Sequence, residues 1–284
     1  MTVPGDAPRT ARVDVRSFDS GDGLQLYYHA WEVEGVRGVL RIIHGLGEHG
    51  ARYLPLAEAM RERGIASYAI DLRGHGVSGG VRGHLTRFDE FVDDVERFTT
   101  ETASEVPAFL LGHSLGGLIA LRSIETGRAG RLAGAILSTP ALRLAAPPPP
   151  WLRAAAAVLS RVAPEIGFAN DIDPADLSRD PEAVAAYRSD PLIHDRITPR
   201  LYIEMRKAMR AAAAAAPEVE IPVLLLAPGD DRIAHVPTAL AVASRLSGDV
   251  QIRSYPGFYH EALNDRGRET VISDILGWLE EKLL

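Results

Sequence analysis

The sequence predicts an α/β fold, with a mostly parallel sheet, helices on both faces of that sheet and a helical insert. Three observations predict it. Short apolar runs alternate with segments of helical periodicity, which is typical of βαβ units. Residues 140–217 interrupt this alternation and are rich in proline and alanine. The chain has 284 residues, 46% of them hydrophobic, so it can bury the core of one large domain or of two small ones.

The predicted sheet begins with a hairpin and continues with parallel strands. Apolar residues alternate with polar ones from Val13 to position 18 and again over 24–28, and the SGDG segment at 20–23 is typical of a turn. Apolar runs predict six further strands, at 39–43, 65–70, 108–111, 132–137, 223–226 and 250–255. Helical periodicity predicts helices at about 52–63, 87–104, 115–126, 236–246 and 268–283.

The insert has a helical rather than a low-complexity pattern. Apolar residues recur at helical spacing over 151–162 and again over 201–209, and Pro164 and Pro217 are placed to end those helices. A segment that leaves the sheet and returns to it is a candidate cap over the strand ends. We therefore divide the chain into a first core part, the cap insert and a second core part, at residues 1–139, 140–217 and 218–284.

Composition excludes several classes of protein. The net charge is −7 without a basic cluster, so nucleic acid is not an expected partner. The absence of cysteine excludes disulfides, cysteine nucleophiles and thiolate metal sites, and it agrees with a cytoplasmic protein. No apolar run is long enough to span a bilayer. The first residues, MTVPGDAPRT, lack the pattern of a signal peptide, so we expect none.

The stretch GHSLG, at 112–116, points to the chemistry. It fits the G-x-S-x-G pattern of a nucleophile elbow, in which Ser114 would sit on a strained turn between a strand and a helix. An ordinary turn of an α/β protein can show the same five residues, so other residues must support the assignment. A serine hydroxyl needs a base, a carboxylate that orients the base, and donors for an oxyanion.

The base is predicted from chain order, which in α/β-hydrolases is Ser, then Asp or Glu, then His. His194, His235 and His260 follow Ser114. His194 lies in the insert, where we expect it to be remote from the strand ends, and His235 stands where a helix is expected to begin. His260 follows the last predicted strand and is therefore the predicted base.

Three aspartates are candidates for the acid. Asp230 and Asp231 both follow the predicted strand 223–226, at the carboxyl end where ligands of such sheets bind. Asp265, just past the predicted base, is more simply explained as a cap of the last helix. The residues alone leave Asp230 and Asp231 open.

Two backbone amides are expected to form the oxyanion hole. One belongs to Leu115, directly after the nucleophile and at a helix N-terminus. The other is expected from Leu46, in the loop after an early strand. His44 precedes the serine, so we expect it to shape this loop and not to act as the base. We expect the His113 side chain to point away from the Ser114 hydroxyl.

Six segments resemble the monoacylglycerol lipase and lysophospholipase branch of the α/β-hydrolases. They are HGLGEHGARY (44–53), DLRGHGVSGG (71–80), GHSLGG (112–117), GDDRIA (229–234), FYHEALND (258–265) and LSRDPEAVAAYRSDPLI (177–193). The last of these resembles the cap of monoacylglycerol lipases. The resemblance implies an α/β-hydrolase fold with a helical cap, a serine nucleophile and no cofactor or metal. Because the family's aspartate precedes an arginine, the resemblance assigns the acid to Asp231.

The resemblance also implies a substrate, a glycerol ester with one acyl chain. Glu48, Arg52 and Tyr187 are then candidates for polar contacts around the glycerol. An Arg–Glu ion pair that holds the loop is the simpler explanation of Glu48 and Arg52. The apolar helix 151–162 is a candidate for an acyl tunnel or for transient contact with a membrane surface, unless it only packs on the domain beneath it.

Other functions remain open at this point. Lysophospholipid or short-chain esters are alternative substrates, and a member of the fold that binds ligands without catalysis is a further alternative. An aminopeptidase would need an acidic pocket for the substrate amine, and the insert does carry acidic residues, namely Glu165, Asp171, Asp173 and Asp176. The sequence does not predict the oligomeric state.

Overall fold

A computed structural model describes residues 14–284, and its larger sheet has eight strands. The ten strands of the described chain are β1 (Asp14–Asp19), β2 (Gln25–Trp31), β3 (Gly38–Ile43), β4 (Ile65–Asp71), β5 (Ala108–His113), β6 (Gly134–Ser138), β7 (Phe168–Ala169), β8 (Arg196–Ile197), β9 (Val223–Pro228) and β10 (Val250–Tyr255). The large sheet has the order β1-β2-β4-β3-β5-β6-β9-β10, while β7 and β8 pair separately. Val13 and the residues on which the signal-peptide expectation rests lie outside the described part.

Six neighbouring strands of the large sheet, from β4 to β10 in spatial order, run parallel to one another. The first two strands form the antiparallel hairpin that the alternating pattern predicts, with Phe18 opposite Leu26, and β2 also pairs antiparallel with β4. Every residue of β3, β5, β6 and β9 is buried, because helices cover both faces of these central strands. The predicted α/β class and its mostly parallel sheet are confirmed.

Eight α-helices are described. They are α1 (Leu54–Arg61), α2 (Asp89–Glu101), α3 (Leu115–Glu125), α4 (Pro150–Val162), α5 (Pro181–Ser189), α6 (Pro199–Ala215), α7 (Val236–Ala243) and α8 (Arg268–Leu283). One buried apolar cluster joins one face of the sheet to α2, α3, α6 and α7. A second cluster joins the opposite face to α1 and α8. The two clusters fix the sheet from both sides and hold the carboxyl ends of its strands in place.

The polypeptide between β6 and β9 forms the insert, with three helices and the small β7–β8 sheet. Helix α6 packs Leu201 and Met205 into the core cluster, so the insert is tied to the body of the protein. Helix α4 buries only Ser160 and leaves Trp151 71% exposed. The prolines act as expected, since α4 ends before Pro164 and α6 ends before Pro217. Within residues 14–284, no helix is both long and apolar enough to cross a membrane.

Candidate active site

Ser114 occupies a sharp turn between β5 and α3. Its φ is 51° and its ψ is −114°, a conformation that costs an L-residue about 1–3 kcal/mol. The turn is feasible because glycines flank it. A Cβ on Gly112 would lie 2.3 Å from the Gly116 carbonyl oxygen, and one on Gly116 would lie 2.1 Å from that of Ile43. The sequence GHSLG therefore forms a nucleophile elbow that packs directly on the end of β3.

The nucleophile elbow is buried except at Ser114. Ser114 is partly exposed, whereas His113 and Leu115 on either side are buried. Its backbone amide donates to the Ser138 carbonyl at 3.0 Å, which fixes the turn against β6. Among the hydrogen bonds of residues 14–284, none involves the Ser114 hydroxyl or the backbone amide of Leu115. The hydroxyl and this amide are therefore both free to meet a ligand.

His260 and Asp231 form a buried pair at the carboxyl end of the sheet. His260 Nδ1 lies 2.7 Å from Asp231 Oδ2, and the side chains are 4% and 0% exposed. The second carboxylate oxygen of Asp231 accepts hydrogen bonds from the Ile233 and Ala234 amides, at 2.7 and 2.9 Å. Asp230 is exposed and only its backbone amide is engaged, with the Phe258 carbonyl. The geometry thus pairs His260 with Asp231 and not with Asp230.

Burial and pairing oppose each other in the protonation of this pair. Burial disfavours a charged His260 ring, but Asp231, followed by Glu261 and Glu48, outweighs burial and raises the pKa of His260 above its ordinary value. Burial likewise opposes the charge of Asp231, and the His260 ring with the two amides lowers the pKa of that carboxyl. Asp231 therefore stays ionised and can stabilise an imidazolium.

The expectation for Asp265 is wrong. Its carboxylate does not cap α8; it accepts hydrogen bonds from the Tyr259 amide at 2.8 Å and from Arg179 Nε at 2.9 Å. It therefore holds the segment before His260 against the insert. His235 has a local role at the start of α7, where its ring lies 2.8 Å from the Thr238 hydroxyl.

The loop after β3 is held by hydrogen bonds from its own side chains. His44 Nε2 accepts from the Leu72 amide at 3.0 Å, so its Nδ1 carries the proton and donates to the Gly45 carbonyl at 2.7 Å. Burial lowers the pKa of His44 and keeps the ring neutral. As expected, His44 shapes the loop. Within residues 14–284, the Leu46 amide is not among the hydrogen-bonded amides, which leaves it available as a donor.

The chain is similar to known proteins over most of its length. Residues 34–267 match the Hydrolase_4 family, described as serine aminopeptidase, S33. A monoacylglycerol lipase of Mycolicibacterium smegmatis is 37% identical over 279 residues, which cover 94% of this chain and 97% of that protein. Phospholipase YtpA of Bacillus subtilis is 30% identical over 244 residues, 85% of this chain and 94% of that protein. The crystal structure of a Paleococcus ferrophilus monoacylglycerol lipase has a TM-score of 0.84 at 36% identity, covering 90% of this chain and 99% of that one.

The chain belongs to the Hydrolase_4 family. The resemblance to the monoacylglycerol lipase branch and the α/β-hydrolase fold, both predicted from the sequence, are confirmed.

Two residues of this hydrolase that are candidates for substrate contact form an ion pair. Arg52 Nη1 donates to Glu48 Oε2 at 2.6 Å and to Glu261 Oε1 at 2.8 Å, and its Nη2 donates to Glu261 Oε2 at 2.6 Å. Burial opposes ionisation of Glu48, but Arg52 and nearby histidines lower the pKa of Glu48 to about 2. The hydroxyl of Tyr53 and the amide of Gly45 also donate to Glu48, at 3.1 and 2.6 Å.

The insert docks on the same loop. The His194 amide donates to the Gly47 carbonyl at 3.0 Å, and His49 Nε2 lies 2.9 Å from Asp190 Oδ2. The Arg52 guanidinium lies over the Tyr187 ring, 4.9 Å from its centroid. The expectation that His194 is remote from the strand ends is therefore wrong, because the insert folds back over the oxyanion loop.

The sequence did not indicate that His113 and Glu261 both lie beside the predicted base. The His113 ring packs against the His260 ring at a centroid distance of 4.9 Å, and burial with the nearby His260 lowers the pKa of His113 to about 4. Glu261, the residue after the base, is buried and ion-paired. The only available signal was that each is adjacent in sequence to a predicted catalytic residue.

One cluster in the described chain has metal-ligating side chains close together. Ligand atoms of His29, His49 and Asp71 lie within 4.8 Å of one another. Asp71 already accepts hydrogen bonds from His29 Nε2 at 3.2 Å, the Gly50 amide at 2.7 Å and the Val77 amide at 2.9 Å. We therefore interpret the cluster as a hydrogen-bonding hub that joins three chain segments.

Proposed function

We propose that this protein hydrolyses the ester bond of monoacylglycerols, releasing a fatty acid and glycerol, with Ser114, His260 and Asp231 as the catalytic triad. The observation that carries the proposal is the buried His260–Asp231 pair in a chain whose serine stands on a nucleophile elbow. The similarity to a named monoacylglycerol lipase along almost the whole chain supports the substrate.

In this mechanism Ser114 attacks the ester carbonyl while His260 accepts its proton. Asp231 holds His260 in the tautomer whose Nε2 is unprotonated, and it stabilises the imidazolium that forms. The amides of Leu46 and Leu115 bind the oxyanion, and the loss of one such donor would raise the barrier by about 3–4 kcal/mol. His260 then protonates the leaving glycerol and activates the water that releases the fatty acid. No step requires a cofactor or a metal.

Residues 140–217 serve as the cap in this proposal, between the core parts 1–139 and 218–284. The insert docks on the oxyanion loop through His194, so it lies where it can enclose an acyl chain. Apolar side chains on the outer side of α4 support transient contact with a lipid surface; the most exposed are Trp151, Val158 and Val162. A protein peripheral to a membrane would take up its lipid substrate there.

The polar end of the substrate is assigned to Glu48, Arg52 and Tyr187. Glu48 and Arg52 are already bound to each other, whereas the Tyr187 hydroxyl has no hydrogen-bond partner among the described residues. A methyl on Gly47 would come within 3.7 Å of that hydroxyl, so it lies above the oxyanion loop. Tyr187 is thus the member of this group that is free to bind a glycerol oxygen.

Two other substrates are alternatives within the same chemistry. The relative named as a phospholipase supports a lysophospholipid, and the catalytic residues alone would support a short-chain ester. An aminopeptidase is less well supported, because two of the four acids named in the insert are already ion-paired. Asp176 pairs with Arg232 at 2.8 Å and Asp173 with Arg188 at 3.4 Å, so neither is a free site for a substrate amine.

The test is the release of fatty acid from a long-chain monoacylglycerol, beside a matched lysophospholipid and a short-chain ester. We expect the monoacylglycerol to be the best substrate, and Ser114→Ala to lose turnover by about 10⁶-fold while the protein stays folded. Wild-type turnover in Ser114→Ala would refute the triad. Hydrolysis of the short ester alone would refute the lipid substrate and leave the triad intact.

A further inference from the structure

A buried ion pair joins the two halves of the proposed catalytic apparatus. Arg52 lies in the turn that follows the oxyanion loop, and Glu261 is the residue after the proposed base. The two side chains are only 11% and 6% exposed, and they are joined by two parallel hydrogen bonds of 2.8 and 2.6 Å. A two-pronged bond between a guanidinium and a carboxylate fixes orientation as well as distance.

Arg52 is connected to the proposed oxyanion loop, and Glu261 is connected to the proposed base. Arg52 donates to Glu48 Oε2. The other carboxylate oxygen of Glu48, Oε1, accepts a hydrogen bond from the Gly45 amide at 2.6 Å. Gly45 directly precedes Leu46, the proposed oxyanion donor. On the other side, Glu261 is covalently adjacent to His260, and its amide donates to the Leu177 carbonyl of the insert at 2.9 Å. One arginine therefore links the oxyanion loop with the base.

We infer that Arg52 and Glu261 are positioning residues that hold the base at a fixed distance from the oxyanion hole. The inference rests on the hydrolase function proposed above. Neither side chain is assigned to a reacting atom. Arg52 acts through Glu48, which accepts the Gly45 amide, and Glu261 acts through the backbone that it shares with His260. Reactions of this kind depend on placement, and an error of about 1 Å at the reacting groups can cost about a hundredfold in rate.

The pair has an electrostatic consequence that a purely structural ion pair lacks. The charged or titratable groups around His260 are Asp231 and Glu261 beside it in the loops, His113 on the elbow, and Glu48 and Arg52 on the oxyanion side. Burial opposes protonation of His260, while Asp231, Glu261 and Glu48 raise its pKa. Neutralising Glu261 therefore lowers the pKa of the base, in addition to releasing its geometry.

The decisive variant is Glu261→Gln, which keeps the shape and removes the charge. We expect kcat to fall about ten- to a hundredfold. We also expect the acid limb of the kcat/KM profile to move about one pH unit lower. Arg52→Lys keeps the positive charge but loses the two-pronged geometry, so kcat should fall while the acid limb stays near that of the wild type.

Asp94→Asn is the matched control. Asp94 lies on helix α2 and accepts two hydrogen bonds from Arg73, at 2.6 and 2.7 Å. The Asp94 side chain is 0% exposed and that of Arg73 is 6% exposed, so the pair is at least as buried as Arg52–Glu261. We expect this variant to lose thermal stability with an unchanged acid limb. A folded Glu261→Gln with the kcat and acid limb of the wild type would overturn the inference. If Glu261→Gln does not fold, Arg52→Lys decides through its rate of inactivation by a fluorophosphonate, which requires no contact with glycerol: an unchanged rate overturns the inference and a reduced rate supports it.

A second measurement tests the positioning role without the monoacylglycerol substrate. Inactivation by a fluorophosphonate requires the serine and its base but no glycerol recognition, so its rate against pH is measured for the same variants. A wild type that reacts with the fluorophosphonate but does not hydrolyse monoacylglycerol refutes the proposed substrate and still tests the ion pair. Equal inactivation rates and pH dependence in wild type and folded Glu261→Gln refute the positioning role alone.

Discussion

Individual residues of the site are defined by unusual local geometry. Ser114 has a positive φ that only its glycine neighbours make feasible, and His260 is buried yet carries a carboxylate partner. Both features follow from residues a few positions away in sequence or at the next strand end. Short motifs could therefore predict the turn at Ser114 and the positions of His260 and Asp231 at strand ends, because each motif builds its own turn. The choice of Asp231 over Asp230 needed the family resemblance, and the catalytic roles of the three residues stay a proposal.

The pH dependence of activity should report the His260 ring. In the proposed mechanism only neutral His260 can accept the Ser114 proton. Its pKa is raised above the ordinary 6.5 because Asp231, together with Glu261 and Glu48, outweighs burial. We expect kcat/KM to fall as the pH drops through a value above 6.5. The measurement is kcat/KM from about pH 5 to about pH 9. An acid limb of the kcat/KM profile well below pH 6.5, the ordinary histidine pKa, would contradict the pairing of His260 with Asp231.

The helices and strands separate into those that sequence could predict and those that it could not. The central strands are buried on both faces and appear as continuous apolar runs, and α2 and α3 show a clear helical period. Helix α5 has no buried residue, so no apolar period marked it. Strands β7 and β8 have two residues each, too short for any pattern.

The same limit applies to the Arg52–Glu261 pair. Its members are 209 positions apart, and no periodicity relates charges at that separation. The sequence suggested an Arg–Glu pair between Glu48 and Arg52, which the structure contains, but the third member appears only when the chain folds.

Helix α3 ends on a carboxyl group whose ionisation should be unfavourable. Glu125 is the last residue of the helix, where the dipole disfavours negative charge, and its side chain is 1% exposed. Burial outweighs Arg122 and raises the pKa of Glu125 to about 7. Since this value is raised from 4.5, the stability it contributes is full below pH 4.5 and is lost as the pH rises through about 7.

We therefore expect the free energy of unfolding of Glu125→Gln, compared with that of the wild type, to be more favourable at high pH than at low pH. Its advantage in the free energy of unfolding over the wild type should grow by about 2–3 kcal/mol between pH 5 and pH 8. Urea unfolding at the two pH values measures this. Glu101→Gln, at the exposed end of α2, is the control and should show no such change. A constant difference for Glu125→Gln would contradict the prediction.

For the whole molecule, Asp71 is a junction between strands and loops. Burial opposes its charge, but the His29 hydrogen bond and further donors lower the pKa of Asp71 from 3.8 to about 2. A lowered carboxyl pKa gives stability that is present above the unfolded value of 3.8 and is lost as the pH falls towards 2. The loss should be about 2 kcal/mol for this group.

Acid unfolding tests that prediction. We expect the free energy of unfolding of the wild type to decrease steeply below about pH 4. Asp71→Asn should be less stable at neutral pH but show a shallower decrease, because it lacks the carboxylate that must be protonated. Parallel pH dependence in the two proteins would show that another group controls acid unfolding.

The main-chain docking of the insert at two glycines has an evolutionary consequence. The His194 amide binds the Gly47 carbonyl and the Thr198 amide binds the Gly83 carbonyl, so neither bond depends on side-chain identity. A methyl on either glycine would lie 2.3 or 2.1 Å from a carbonyl oxygen of the insert. These two bonds therefore constrain the core glycines and not the insert residues that bind them. The rest of the insert is constrained by its side chains, such as Leu201 and Met205 in the core cluster, so we expect substitutions at Gly47 and Gly83 to be tolerated no better than those at these buried positions.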